Sequence, residues 1–225
     1  KLAKLRAGKV SIFEPGLTVL MERNIHEDRL SFSDDLETSI VDADAVFIAV
    51  GTPARRGDGF ADLTYVYDTA RDLGEKLSTD TIVITKSTVP VGTNRGIKRI
   101  ITDCNPKAAF EIVSNPEFLR EGSAIEDFMR PDRVVVGVES PGAEAVMRNI
   151  YRPLNIRETP VMVTDLETAE TIKRFHRHFD GDPVAENLRL LIIDNGRSLT
   201  IEPDGKTEVV PNSNLGGAGG FARGL

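Results

Sequence analysis

The middle of the chain alternates short apolar runs with longer stretches in which apolar residues recur at helical spacing. This alternation is typical of a parallel β-sheet covered by helices on both faces, because strands buried between two helix layers are apolar on both sides. We therefore predict an α/β fold with a Rossmann-like, doubly wound parallel sheet. The predicted strands are Leu30–Ser33, Ala45–Val50, Thr81–Thr85, Phe110–Val113, Arg133–Val138 and Val161–Thr164.

Residues that commonly cap helices stand in front of the amphipathic stretches between these runs. Helices are predicted to start after Asp34, Asp62, Thr93 and Pro141, and a further one near Glu167. Strands and helices therefore alternate along most of the chain, as they do in folds built from βαβ units.

The pattern changes beyond Arg174. The apolar runs that follow are separated by Asn195-Gly196 and by Pro203-Asp204-Gly205, which are typical turn sequences. We predict a small β-hairpin or three-stranded meander within residues 181–225, ending in a loose glycine-rich tail.

Composition narrows the possible partners. The sequence has 225 residues, with 28 Lys and Arg against 35 Asp and Glu, and its formal net charge of −7 disfavours nucleic acid as a partner. No apolar run is long enough to span a membrane and the first residues are too polar for a signal peptide, so we expect a cytoplasmic protein. The single cysteine, Cys104, cannot form an internal disulfide, and the spacing of His176 and His178 is poor for a metal site.

In an open parallel sheet, ligands bind beyond the carboxyl ends of the strands, where loops and helix N-termini gather. Each candidate residue there has a simpler explanation as a turn residue, a helix cap or a surface ion pair. Because the candidates share one edge of one sheet, together they favour a small-molecule site. They are Gly51, Thr52, Lys86, Ser87, Thr88, Glu117, Arg120, Glu121 and Lys173.

Several longer segments make the sequence recognisable. The segment SNPEFLREGSAIEDFMRPDRVVVG (114–137) resembles the UDP-glucose/GDP-mannose dehydrogenases, the nucleotide-sugar dehydrogenase family. The resemblance covers about residues 1–173, and PEFLREG favours the UDP-glucose branch. The other matching segments are FEPGL (13–17), ADAVFIAVGTP (43–53), ADLTYV (61–66), TIVITKSTVPVGT (81–93) and ETAETIK (167–173).

The resemblance implies an NAD-dependent oxidation of the C6 alcohol of UDP-glucose, or of a related sugar nucleotide, to a carboxylate. This reaction runs in two steps through an aldehyde and a cysteine thioester. The residues implied to bind the cofactor are Gly51, Thr52, Ser87, Thr88 and Glu121. Those implied to bind the sugar nucleotide are Glu117, Phe118, Leu119, Arg120 and Lys173.

Three of these residues are implied to be catalytic. Thr88 would hold a water molecule, and Glu117 would assist proton transfer and thioester hydrolysis. Lys173 would stabilise the oxyanion that develops at C6, a role suited to a positive charge.

The sequence also departs from the family pattern. No Gly-x-Gly-x-x-Gly turn occurs before residue 50, so we expect weak NAD binding. Arg177 stands where the family has asparagine, and nothing matches the family's Gly-Gly-x-Cys nucleophile. Cys104 is predicted at the opposite ends of the strands. We therefore expect residues 1–164 to form an incomplete NAD-binding domain, residues 165–180 to begin a connecting helix, and the chain to be an inactive form.

Two other hypotheses remain open at this point. The chain could be a non-catalytic module that binds a sugar nucleotide and pairs with another subunit through the apolar edge of Ala45–Val50, as an oligomer. It could also be a gene-fragment product without a function of its own. The presence of a glycine turn and a nucleophile, in the chain or in a partner, would distinguish the enzyme from the module.

Overall fold

One five-stranded β-sheet forms the centre of the fold, with its strands side by side in chain order. The computed structural model describes residues 2–10, 12–57, 60–77, 80–120, 122–157, 159–179, 190–194 and 207–211. The strands of the sheet are β1 (Ala45–Ile48), β2 (Thr81–Thr85), β3 (Phe110–Ser114), β4 (Val134–Gly137) and β5 (Val161–Thr164). The predicted α/β architecture is confirmed.

Helices connect most of these strands. In the described part of the chain they are α1 (Leu2–Arg6), α2 (Leu17–His26), α3 (Leu36–Ile40), α4 (Thr64–Lys76), α5 (Thr93–Cys104), α6 (Ala124–Met129), α7 (Pro141–Tyr151) and α8 (Leu166–Phe179), with a 3₁₀ helix at Arg152–Arg157. None of the helices among the described residues is long and apolar enough to cross a bilayer.

Each of the four predicted helix caps is displaced by one residue, to Asp35, Leu63, Gly92 and Ser140. Asp35, rather than Asp34, precedes α3, and its carboxylate accepts a hydrogen bond from the Thr38 N–H at 3.2 Å. Gly92, rather than Thr93, precedes α5, with a φ of 88° and without a capping side chain. The first N–H groups of α5 therefore need an acceptor from elsewhere in the fold.

The sheet is mixed rather than wholly parallel. Strands β1, β2 and β3 run parallel, but β3 and β4 are antiparallel, with Ser114 opposite Gly137. Strand β5 is parallel to β4. A parallel return needs a crossover that covers a face of the sheet, whereas α6 has only six residues and buries none of them. The chain therefore comes back alongside β3 in the opposite direction.

The predicted strand at Leu30–Ser33 is wrong. The residues form no strand, and the segment is held by hydrogen bonds from the Leu30 N–H to the Asn24 carbonyl and from Arg6 Nε to the Phe32 carbonyl. A strand forms only as part of a ladder, and nothing in the described residues pairs with this segment. Its alternation of apolar and polar residues resembles that of a half-buried strand and led to the prediction.

The later segments contain β6 (Leu190–Asp194) and β7 (Thr207–Pro211), which pair in parallel. The predicted hairpin or meander requires antiparallel neighbours, so it is wrong for this pair. Residues 195–206 separate the two strands in the sequence, a length sufficient for a parallel connection. The predicted turns and the glycine-rich end lie outside the described residues.

Hydrophobic residues pack against both faces of the sheet. Successive side chains of a strand point to opposite faces, so Val83 belongs to one core cluster and Ile84 to the other. The first cluster joins the sheet to α4, α5 and the start of α8, and includes Ile48, Val66, Leu73, Val83, Ile97, Ile101, Ile112 and Leu166. The second joins it to α7 and includes Ile84, Val113, Val134, Val136, Met147 and Tyr151.

Candidate active site

The loops after β1 and β2 lie together at the carboxyl edge of the parallel strands. Thr52 Oγ1 donates a hydrogen bond to the backbone oxygen of Thr88 at 2.9 Å. Ser87 Oγ donates to the backbone oxygen of Val50 at 2.7 Å. These two bonds fix one loop against the other, and both use neutral side-chain hydroxyls.

The Glu117 carboxylate, which follows β3, lies between a hydroxyl group and an ammonium group. Thr88 Oγ1 is 3.5 Å from Glu117 Oε1, and Lys173 Nζ is 3.0 Å from Glu117 Oε2. Lys173 Nζ also donates to the backbone oxygen of Glu117, and the Leu119 N–H donates to Oε2 at 3.0 Å. The structure thus brings the three predicted catalytic residues into one cluster.

Lys173 reaches this cluster by a route that the sequence did not predict. We expected it at this edge because its helix follows β5, but β5 runs opposite to β3 and ends pointing away from the edge. Gly137 lies opposite Ser114, and a side chain at Gly137 would come within 2.9 Å of Leu166 Cα, so α8 starts close to the level of Ser114.

Helix α8 then runs back toward the edge. Lys173 lies seven residues after Leu166, a rise of about 10 Å along a helix. Its ammonium group reaches Glu117, three residues beyond Ser114, with Nζ 3.0 Å from Oε2. The length of α8, rather than the end of β5, brings Lys173 to this edge.

Lys173 is nearly buried, with 9% of the residue exposed. Its Nζ atom lies 5.1 Å from the centre of the Phe118 ring, within the range of a cation–π contact. Removing an ammonium group from water is unfavourable unless it is paired, and Glu117 supplies the paired charge. The ammonium group is thereby held in a defined place with little freedom to rotate.

A cavity of about 560 Å³ opens beside this cluster. Glu117, Phe118, Leu119 and Arg120 line it. Arg120 forms a bidentate ion pair with Asp127, with Nη2–Oδ1 at 2.7 Å and Nε–Oδ2 at 3.1 Å. This pairing lowers the pKa of the Asp127 carboxyl. The predicted sugar-nucleotide loop is therefore one wall of a cavity large enough for a small molecule.

The floor of the cavity contains the candidate Lys86 together with Asn115 and Tyr151, which the sequence analysis did not assign to the site. Lys86 Nζ donates to Asn115 Oδ1 at 3.1 Å and contacts the Tyr151 hydroxyl at 2.9 Å. Burial lowers the pKa of Lys86 to about 8, aided by the charge of Lys173, while Glu117 acts in the opposite direction. Burial also raises the pKa of Tyr151 to about 12.

Sequence carried a partial signal for this floor. Lys86 follows β2 directly and was a candidate for that reason, and Asn115 follows β3 in the same way. Tyr151 ends α7 and had no such signal, because its place depends on how α7 packs under the sheet.

Other predicted residues lie away from the cluster or outside the described structure. Gly51 is exposed and has no atom within 4 Å of the position a Cβ would take. Cys104 is exposed at the last residue of α5, at the opposite end of that helix from Gly92. Glu121 and the Arg177 side chain are outside the described residues. Among the side chains that are described, no three His, Cys, Asp or Glu residues group as metal ligands.

The edge formed by β1 and β2 fits part of a dinucleotide. The backbone at Gly51 is open to close approach, and the oxygens of Thr52 and Ser87 keep lone pairs that can accept hydrogen bonds. No glycine turn for the pyrophosphate occurs in the first 173 residues. An α/β sheet whose first three strands are parallel, with such loops at their carboxyl edge, defines the class, a Rossmann-like nucleotide-binding domain.

Comparison with known proteins specifies this class further. Residues 1–155, more than half of the chain, match the NAD-binding domain of the UDP-glucose/GDP-mannose dehydrogenase family. The chain is 53% identical over 175 residues to UDP-glucose 6-dehydrogenase of Rhizobium meliloti, an alignment of 77% of this chain and 40% of that protein. It is 43% identical to UDP-glucose 6-dehydrogenase TuaD of Bacillus subtilis, covering 77% and 37% of the two chains.

Solved structures agree. A UDP-glucose dehydrogenase from Pyrobaculum islandicum superposes with a TM-score of 0.74 at 40% identity, over 79% of this chain and 41% of the other. GDP-mannose dehydrogenase from Pseudomonas aeruginosa, in a ternary complex, gives a TM-score of 0.76 at 33% identity, over 82% and 43%. The chain belongs to the UDP-glucose/GDP-mannose dehydrogenase family, whose cofactor is NAD. It spans about two fifths of the length of these relatives.

Proposed function

We propose that this chain carries the NAD-binding domain and part of the sugar-nucleotide site of a UDP-glucose 6-dehydrogenase. The observation that carries the proposal is the cluster in which Thr88 and Lys173 both contact the carboxylate of Glu117. The substrate would be UDP-glucose, and its C6 alcohol would be oxidised to the carboxylate of UDP-glucuronate. The relatives of highest identity considered above bear the name of this enzyme, which supports the choice of sugar.

Lys173 would bind the oxygen on C6 of the sugar. Its ammonium group is nearly buried and held in place, so it needs little reorganisation when negative charge develops on that oxygen. The ammonium group already donates a hydrogen bond to Glu117 Oε2 at 3.0 Å. When bound, NAD would accept the hydride from C6.

Glu117 and Thr88 would handle water and protons beside the sugar. The Glu117 carboxylate can accept a proton from a water molecule, and the Thr88 hydroxyl can orient that water because the two groups already face each other. Phe118, Leu119 and Arg120 would cover the sugar nucleotide as the wall of the cavity. Gly51, Thr52, Ser87 and Glu121 would line the cofactor side.

The proposed second oxidation needs a thiol close to C6, and this chain does not place one there. Cys104, the sole cysteine of the sequence, is exposed at the end of α5. This observation favours a second candidate function, in which the chain binds UDP-glucose without completing its oxidation. Formation of NADH from UDP-glucose and NAD would distinguish catalysis from binding alone.

Titration calorimetry of the purified chain with UDP-glucose tests the proposed site. We expect binding, and we expect Lys173→Met to weaken it about tenfold because the ammonium group that meets the sugar is lost. Lys107→Met, which removes an exposed lysine after α5, is the matched control and should bind like the wild type. A wild-type chain that is folded by circular dichroism and does not bind UDP-glucose would refute the proposal.

A further inference from the structure

Glu170 is a buried carboxylate that the proposed chemistry does not use. It lies in α8, one turn before Lys173, and only 2% of the residue is exposed. Within the described structure no Lys or Arg pairs with it, and burial raises the pKa of its carboxyl. A buried acid without a cation is unfavourable unless its oxygens accept hydrogen bonds.

Both Glu170 oxygens accept hydrogen bonds from the start of α5. Oε2 accepts from the Gly92 N–H at 2.6 Å, and Oε1 accepts from the Asn94 N–H at 2.9 Å and from Asn94 Nδ2 at 2.7 Å. The Thr85 hydroxyl is bonded to Asn94 Oδ1 at 2.6 Å, which fixes the orientation of the Asn94 amide. The two oxygens therefore bind α8 to α5 in a single geometry.

This contact acts on the loop that carries Thr88. Gly92 ends that loop, and its glycine supplies no capping side chain, so Glu170 performs the capping from another helix. On the same face of α8, three residues later, Lys173 projects toward Glu117. One side chain thus sets how far the Thr88 loop lies from the helix that holds Lys173.

We infer that Glu170 is a positioning residue, which holds the Thr88 loop against α8 at the separation that lets Thr88 and Lys173 contact the same Glu117 carboxylate. Glutamine cannot replace it. A carboxamide has one oxygen, and its NH₂ group would face a backbone N–H where a second acceptor is required. The inference rests on the proposed function only through UDP-glucose, the ligand of the binding experiment below.

A double-mutant cycle on unfolding tests the inference without any ligand. Glu170 and Glu117 do not touch, so a purely local cap would make the effects of Glu170→Gln and Glu117→Gln on the unfolding equilibrium constant multiply. We expect the double variant to deviate from the product at least about threefold, because losing either residue already disturbs the Thr88 and Lys173 contacts. The control cycle pairs Glu117→Gln with Glu167→Gln. Glu167 lies in α8, like Glu170, and its substitution removes a partly exposed contact to Arg95 of α5. The effects of these two changes should multiply.

UDP-glucose binding supplies the second measurement. We expect Glu170→Gln to weaken binding about fivefold while Glu167→Gln leaves it unchanged, at a temperature where calorimetry shows all variants folded. A multiplicative Glu170 cycle, or full affinity in folded Glu170→Gln, would overturn the inference. If the wild type fails to bind UDP-glucose but the Glu170 cycle is not multiplicative, the proposed function falls and the positioning role stands.

Discussion

The two halves of the carboxyl edge are held together by different forces. On the side of β1 and β2, neutral hydroxyl groups of Thr52 and Ser87 bond to backbone oxygens. On the side of β3 and α8, the Glu117–Lys173 ion pair holds the loop, and the ammonium group is nearly buried. The first half depends little on charge, and the second depends on an ion pair that lies next to the cavity. The difference separates the proposed cofactor side, which is held by neutral hydrogen bonds, from the proposed sugar side, which is held by an ion pair.

The largest expected effect comes from removing one charge of the sugar side. Glu117→Ala leaves the Lys173 ammonium group nearly buried without its carboxylate, and we expect a loss of about 3 kcal/mol in the free energy of unfolding. Urea denaturation measures it. The double change Glu117→Ala with Lys173→Met removes both charges and should recover most of the loss. Equal stabilities of the wild type and Glu117→Ala would show that the pair does not hold the sugar side.

The second effect concerns pH and the Lys86 ammonium group on the cavity floor. Its pKa of about 8 in the folded chain lies below that of an unfolded lysine, so the folded state carries a penalty while the amine is charged. As the pH rises from 8 toward 10 this penalty disappears, and the stability of the wild type relative to Lys86→Met should increase by about 2 kcal/mol. Thermal or urea unfolding at several pH values measures the difference.

The comparison between wild type and Lys86→Met also removes the contribution of Tyr151. Its pKa of about 12 keeps that phenol protonated over the same range, and it is present in both proteins. A stability difference that stays flat from pH 8 to 10 would contradict a desolvated ammonium group on the cavity floor.

The smallest effect is expected on the cofactor side. Thr52→Val keeps the shape of the side chain and removes the hydrogen bond to the Thr88 backbone oxygen, so we expect a loss of about 1 kcal/mol in the free energy of unfolding. Because no charge is involved, this loss should be the same at pH 6 and pH 9. A loss that varies strongly with pH would show that charged groups also hold the side of β1 and β2.

Much of the fold was predictable because local pattern and tertiary role agree. Strands Thr81–Thr85 and Val161–Thr164 have the predicted bounds, since both are dominated by β-branched residues. Leu30–Ser33 alternates apolar and polar residues but contains no β-branched residue, and no described segment pairs with it. The antiparallel direction of β4 was not predictable from the sequence, because it follows from the failure of the short helix α6 to cover a face of the sheet.

The same division applies to the candidate site. Thr88 and Glu117 were identified because they follow strands, which is a feature of the sequence order itself. Glu170 and Tyr151 sit inside helices, and their roles follow from which elements pack against those helices. No local pattern distinguishes them from ordinary helical residues, so only the tertiary structure could assign them.

The contact at Gly137 gives the site a weakness at some distance from it. A Cβ atom there would lie 2.6 Å from the Asp165 carbonyl oxygen and 2.9 Å from Leu166 Cα. Any larger residue would therefore push the first turn of α8 away from the sheet. Because a helix tilts as a rigid rod, Lys173 would swing away from Glu117 although neither residue had changed. A single methyl group at Gly137 would thus break the Glu117–Lys173 contact by displacing α8, with both charges intact.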